Sequence, residues 1–476
     1  MSEKKVNNNK KSSLKWIIPV SVLAFFLAAA GILTGRALSY SKIEEVRALT
    51  EEENLELNQI RENYKTSLPV ISELPYSLKK KNLDLYCKSA ILIDGQTGSI
   101  LYEKNADEEI PPASMTKLVE MYVVYEAIAA GSVKLTDIVP LPPECWAENL
   151  PWDASRMGLG QDQIVTLDEL LLGLAIPSAN DASIAVANYV AGDMDSFVAR
   201  MNKVVKDLGL EHTHFVESSG YSENNVTTPR EFVKFCKIYL EKYPWALEKY
   251  HSKAFLRYPR EENLPEYERY MADAMAYTQY NTNKLIGKLA GVDGLKTGYI
   301  DESGYNLALT AKRNESRFIS ITMGGPGQGS AEGNRYRNAD GSSLMNYAFT
   351  NFADYKAPEL KSRKGHRYLL PVLGAKEKAV YLIPAADETF TVPFITGSSV
   401  EDSVSSVKVS IEMPSYLKAN AQAGKEYGKI KYYIGDNLLY SLPLIADRKA
   451  GSASTFAKFR AELFALVLNI FNNTKR

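Results

Sequence analysis

Pro111-Pro112-Ala113-Ser114-Met115-Thr116-Lys117-Leu118-Val119-Glu120-Met121-Tyr122-Val123-Val124-Tyr125-Glu126-Ala127-Ile128 is the stretch around which the rest of the chain is organised. A helix can start after the paired prolines. Leu118, Val119, Met121, Tyr122, Val124, Tyr125 and Ile128 leave it almost no polar side, which predicts a buried central helix ended by Gly131. Ser114 then stands at the positive end of that helix with Lys117 one turn later on the same face, a hydroxyl beside its own base.

On either side, short strands alternate with helices. Ser89 to Asp94 and Ser99 to Glu103 read as a hairpin across Gly95-Gln96-Thr97-Gly98. Thr166 caps a helix from Leu167 to Ala175, Pro177 breaks it, and Asp181 to Val190 forms the next. Strand-like runs Gly294 to Gly298, Tyr305 to Ala311 and Phe318 to Met323 follow, while the Gly-, Ser- and Asn-rich run Gly324 to Gly341 reads as an inserted mobile loop. A sheet with a helical lobe beside it, in the α+β class, accounts for residues 74–356. Residues 366–446 change to alternating strands such as Val407 to Met413 and Tyr427 to Ile434, which suggests a small all-β sandwich domain.

Composition narrows the chemistry. Lys plus Arg total 56 against 57 Asp plus Glu, a net charge of -1, so no broad positive field exists to attract nucleic acid. His212, His214, His251 and His366 are scattered, as are Cys87, Cys145 and Cys236, so a metal centre, a disulfide framework and a Ser-His-Asp nucleophile are all disfavoured, and no cofactor is implied. Any hydrolytic serine needs a base other than imidazole.

Ser-x-x-Lys alone is weak, because it recurs at Ser2, Ser12, Ser39, Ser77, Ser405 and Ser415. Ser178-Ala179-Asn180 stands at the break between two helices, and Lys296-Thr297-Gly298 belongs to a strand, where Gly298 would let a substrate backbone approach closely. Each motif has a mundane explanation singly. In this order, each on the expected element, they resemble the defining set of penicillin-binding proteins and active-site-serine β-lactamases. The longer runs Pro112-Ala113-Ser114-Met115-Thr116-Lys117, Ser178-Ala179-Asn180-Asp181-Ala182 and Gly291-Val292-Asp293-Gly294-Leu295-Lys296-Thr297-Gly298-Tyr299 resemble the low-molecular-mass D-alanyl-D-alanine carboxypeptidases, serine peptidase family S11.

The resemblance implies a penicillin-binding-protein/β-lactamase-like transpeptidase fold and a serine D-Ala-D-Ala carboxypeptidase acting on peptidoglycan stem pentapeptides, with β-lactams as covalent inhibitors. It implies Ser114 as nucleophile, Lys117 as general base, and Ser178 with Asn180 as proton relay and clamp. Lys296 and Thr297, beside Gly298 and Tyr299, would bind the substrate carboxylate. The backbone N–H groups of Ser114 and Tyr299 would form the oxyanion hole. An endopeptidase, a transpeptidase, a β-lactamase or a catalytically silent wall-binding scaffold are the alternatives; no Glu-x-x-Leu-Asn stands between Asn180 and Lys296 to serve one β-lactamase class. Ile300 and Ala179 depart from the commoner Thr and Gly. Thr282, in Asn281-Thr282-Asn283, stands where many members carry Arg, which leaves Arg313 or Arg317 as candidate substitutes.

The ends suggest membrane. Trp16 to Thr34 is an apolar run about 28 Å long as a helix, preceded by Lys4, Lys5, Lys10, Lys11 and Lys15, so residues 1–40 read as a signal anchor with the enzyme outside the cytoplasm. A cleaved signal peptide using Ala28 and Ala30 is the other reading, and the length favours retention. Residues 41–73 read as an exposed helical stalk or linker. In residues 451–476, Phe456, Phe459, Leu463, Phe464, Val467, Leu468, Ile470 and Phe471 crowd one side of an amphipathic helix suited to a bilayer surface.

Overall fold

The structure is a computed structural model that describes residues 45–77, 82–356, 367–394 and 400–455, with positions 31, 461 and 465. The expected spanning segment and the amphipathic tail lie outside the described residues. Among those described, no helix is long and apolar enough to cross a membrane.

The chain forms two compact units. The larger, Pro69–Lys356 with Thr389–Val407, is built on a six-stranded sheet. Its spatial order is Ser72–Glu73, Ser99–Lys104, Ser89–Asp94, Ser316–Gly325, Gly304–Arg313 and Val292–Ile300. The last strand, carrying Lys296-Thr297-Gly298, is therefore an edge. Ser89–Asp94 is buried along its whole length, so alternate residues serve two cores. Ile91 and Ile93 face the helical lobe, with Leu118, Met121, Leu170, Val186 and Phe235. Ala90 and Leu92 face the other side, with Leu307, Leu309, Leu344 and Ala348. The central helix Lys117–Ala129 is enclosed in the lobe, as its all-round apolar pattern requires. A Thr166–Glu169 capping box starts Leu167–Ala175, and Asn180–Ala191 resumes past Pro177. All three cysteines are buried thiols, and burial pushes Cys145 up to about 12.

One expectation fails here. The run Gly324 to Gly341 is no loop for most of its length: Ser330–Asn351 is a helix of 22 residues. Its glycines are packing residues. A Cβ on Gly333 would lie 2.1 Å from the Tyr305 ring, and one on Gly341 would lie 2.9 Å from Leu307. Close seating on the sheet thus overrides poor intrinsic helix propensity.

The smaller unit contains a second six-stranded sheet, ordered Lys408–Glu412, Glu426–Ile434, Asn437–Ala446, Ala379–Pro384, Tyr368–Leu373 and Leu417–Lys418. The helix Glu51–Ser67, opened by a Thr50–Glu53 capping box, belongs to this unit. It is not the exposed stalk expected. Leu57 is buried, Ile60 packs against Gly424 so closely that a Cβ there would come within 2.6 Å, and Arg47 bonds Glu377 at 3.1 Å. The strand Thr389–Pro393, by contrast, pairs with Phe352–Lys356 in the larger unit. Leu57→Ala is expected to destabilise the smaller unit by about 2 kcal/mol. Calorimetry should show its transition at lower temperature, and an unchanged transition would mean the helix is not docked.

Candidate active site

Ser114 lies in a 3-10 turn, Ala113–Thr116, that runs directly into the central helix at Lys117. The turn is clamped. Ala113 holds φ at 50°, a left-handed conformation that costs a non-glycine residue on the order of 1 kcal/mol and persists only under external constraint. Gly220, at φ 80°, supplies part of it: a Cβ there would stand 1.9 Å from the Ala113 carbonyl oxygen. Gly298 supplies another part, since its Cβ would lie 2.4 Å from the Pro112 oxygen and 3.3 Å from the Ser114 nitrogen. The close approach expected of substrate at Gly298 is thus made by the protein's own nucleophile turn.

Lys117 is wholly buried, and its Nζ donates to Asn180 Oδ1 at 2.7 Å and to the Ser219 carbonyl at 2.6 Å. Ser114 Oγ, half-buried, stands 3.4 Å from the same nitrogen. A neutral amine with both N–H bonds satisfied elsewhere would aim its lone pair at that hydroxyl. Burial lowers Lys117 to about 8, a loss only partly offset by Glu120, Glu217 and Asp181. Ser178 also sits at a left-handed φ of 68° and accepts from Lys296 Nζ at 2.7 Å. Lys296 is buried and held well below the usual lysine range, by desolvation first and then by Lys117 and Arg337. Its other bond goes to the Thr297 carbonyl at 3.0 Å.

The structure brings Ser114, Lys117, Ser178, Asn180, Lys296, Thr297 and Gly298 together, with Tyr299 at the rim, 43% exposed and stacked on Tyr305. Thr282 does belong here, its hydroxyl accepting from Thr297 Oγ1 at 2.8 Å. Neither suggested substitute for the missing arginine does. Arg313 bonds the Ala290 carbonyl and lies over the Phe349 ring, while Arg317 forks onto Asp293 at 2.7 and 2.8 Å. The cation that reaches the Lys-Thr-Gly strand is Arg337, from the helix misread as a loop. It is 6% exposed, contacts the Gly298 carbonyl at 3.4 Å and Asn334, and leaves its Nε without a partner. Burial lowers it to about 10. Also unforeseen are Glu217 and Asn225, which fix the Ser219 carbonyl: Glu217 accepts from the Ser219 and Gly220 N–H groups at 2.7 Å each, and from Asn225 at 2.8 Å.

Lys117, Lys296 and Arg337 thus lie buried around a reachable serine, and none forms an ion pair among the described residues. A reachable serine beside buried basic side chains suits a serine hydrolase. Known proteins of similar sequence and structure point to the same class. Residues 77–327 match the family model described as D-alanyl-D-alanine carboxypeptidase, and residues 362–451 match the C-terminal domain of penicillin-binding protein 5. The chain belongs to this D-alanyl-D-alanine carboxypeptidase family, the serine peptidases S11. It is 31% identical to D-alanyl-D-alanine carboxypeptidase DacF of Bacillus subtilis, over 78% of this chain and 88% of the relative. It is 28% identical to DacA of Haemophilus influenzae over 80% and 90%. Penicillin binding protein 5 from Haemophilus influenzae superposes with TM-score 0.66 at 27% identity, over 79% of this chain and all of that one.

Because Gly220 shapes the nucleophile turn, Gly220→Ala is expected to slow penicillin acylation about a hundredfold through misplacement of Ser114. Stopped-flow acylation with an intact fold by circular dichroism checks this; an unchanged rate would show the turn does not depend on that contact.

Proposed function

We propose that this enzyme removes the terminal D-alanine of peptidoglycan stem peptides through an acyl-enzyme on Ser114, and that penicillin acylates the same oxygen. The observation that carries the reading is that Lys117, Lys296 and Arg337 are buried near that serine with no salt bridge among the described residues, so that an incoming carboxylate would favour the charged form of the groups it meets. The substrate carboxylate docks on Lys296 and Thr297, with Arg337 adding charge behind Gly298. Its arrival returns Lys296 to a favourable charged state and orients the scissile carbonyl over Ser114.

Lys117 then accepts the Ser114 proton as Oγ attacks. The backbone N–H groups of Ser114 and Tyr299 receive the developing oxyanion, each such donor being worth about 10²- to 10³-fold in rate. As the C–N bond breaks, the proton held by Lys117 leaves by way of Ser178, bonded to Lys296, which hands one proton to the departing D-alanine nitrogen and takes up another; Ser178 is restored, Lys117 is a free amine again, and Asn180 holds Lys117 and the peptide in line. Water attacks the ester with Lys117 again as base, restoring Ser114. The family's cell-wall substrate and the Lys-rich start before Trp16 support a catalytic unit outside the cytoplasm, tethered through residues 16–34 and assisted by the apolar face of residues 456–471.

Full-length protein in detergent, incubated with labelled penicillin and a D-Ala-D-Ala pentapeptide, is expected to carry the label on Ser114 and release D-alanine, and Ser114→Ala to do neither. Penicillin turnover without D-alanine release would instead indicate a β-lactamase. Arg337→Ala is expected to raise KM for the pentapeptide on the order of tenfold, whereas the Arg313→Ala, Arg317→Ala double variant keeps normal affinity. Since burial brings Lys117 to about 8, the free amine gains as pH rises through that value, so acylation should accelerate over the same interval and flatten above it.

A further inference from the structure

Beneath the catalytic groups lies a second polar layer that the reaction as described does not use. On the central helix, Glu120 follows Lys117 by one turn; on Asn180–Ala191, Ser183 follows Asn180 by one turn. The two helices are therefore bridged twice: Lys117 to Asn180 at 2.7 Å, and Ser183 Oγ to Glu120 Oε2 at 2.8 Å. A strap of residues 217–220 repeats the pattern, with the Ser219 carbonyl on Lys117 and Ser218 Oγ on Ser183 Oγ at 2.7 Å. Glu120 has no exposure to solvent, and its Oε1 has no hydrogen-bond partner. A buried carboxyl left half-satisfied is costly and unusual, and a glutamine or an apolar residue would avoid the charge.

We propose that Glu120 is a positioning residue for the base: with Ser183 and Ser218 it forms a buried proton-holding layer that governs when Lys117 can take the proton of Ser114. The proposal rests on Lys117 being the general base. Between their titrations the pair Lys117–Glu120 holds one proton in two arrangements. With the proton on Lys117 and Glu120 ionised, the base is blocked. With the proton on Glu120, the amine is free. Burial raises Glu120 above the ordinary carboxylate range and lowers Lys117, so the two titrations are drawn toward each other. The other groups acting on the pair are Glu217 from the strap, which disfavours a second negative charge at Glu120, Asp181, which favours the charged Lys117, and Lys296, which disfavours it.

The test is the pH dependence of the second-order rate constant for acylation of the full chain by benzylpenicillin. Glu120→Gln keeps the volume and abolishes the blocked arrangement, so the acid limb is expected to move down by about one pH unit. That makes acylation about tenfold faster well below the limb, with the high-pH plateau within a few-fold of wild type. Ser183→Ala removes the bond that favours ionised Glu120; it should shift the limb the same way by less, and it stands in if Glu120→Gln is too unstable to purify. A limb unmoved in the variant measured overturns the proposal, whether or not the plateau or Tm falls, since a packing role alone lowers rate and stability without moving a titration. Wild-type acylation with no acid limb at all would defeat the assignment of Lys117 as base instead.

Discussion

The site depends on keeping Lys117 and Lys296 in the dry interior with no carboxylate in direct contact with either among the described residues. An ammonium gives up several kcal/mol of hydration on burial, and like charges nearby add repulsion. Both effects weaken the charged form of each lysine, and both are relieved when an anion enters. The same constraint thus yields an amine able to act as a base and a pocket that awaits a carboxylate. Around it the fold is arranged to prevent relaxation. Gly220 and Gly298 close on the Ser114 turn, Asn180 and the Ser219 carbonyl fix Nζ of Lys117, and the edge position of Val292–Ile300 leaves a strand side open to an extended peptide.

Much of this was legible in the sequence because it rests on local pattern. An apolar run with no polar face must be buried, and Ser114 and Lys117 at its start are carried with it. The same holds for Pro177, which ends one helix and presents Ser178 and Asn180 at the start of another. What stayed hidden depends on contacts distant in sequence. Arg337 sits in a run whose glycines look like loop formers until Gly333 and Gly341 are seen against Tyr305 and Leu307. The Ser219 carbonyl is a main-chain group and has no side-chain signature. Glu120 carries no signal of its own within an apolar run, and only the register between two helices sets it against Ser183.

The smaller unit shows a similar limit. The polar, Glu-rich composition of Glu51–Ser67 suggests an exposed rod, yet a few apolar contacts at Leu57 and Ile60, with Arg47 on Glu377, seat it on the β unit. Few buried side chains suffice when a capping box already fixes the start of the helix.

The central claim is that Lys117 is a depressed-pKa amine and that an incoming carboxylate restores the charge of Lys296. NMR titration of selectively labelled lysine side chains reads both at once. Lys117 should titrate near 8, and Lys296, neutral well below the ordinary lysine range in the free enzyme, should become protonated when a non-reactive D-alanyl carboxylate ligand saturates the site. Two lysines titrating at the ordinary value of about 10.4, unmoved by that ligand, would contradict the account.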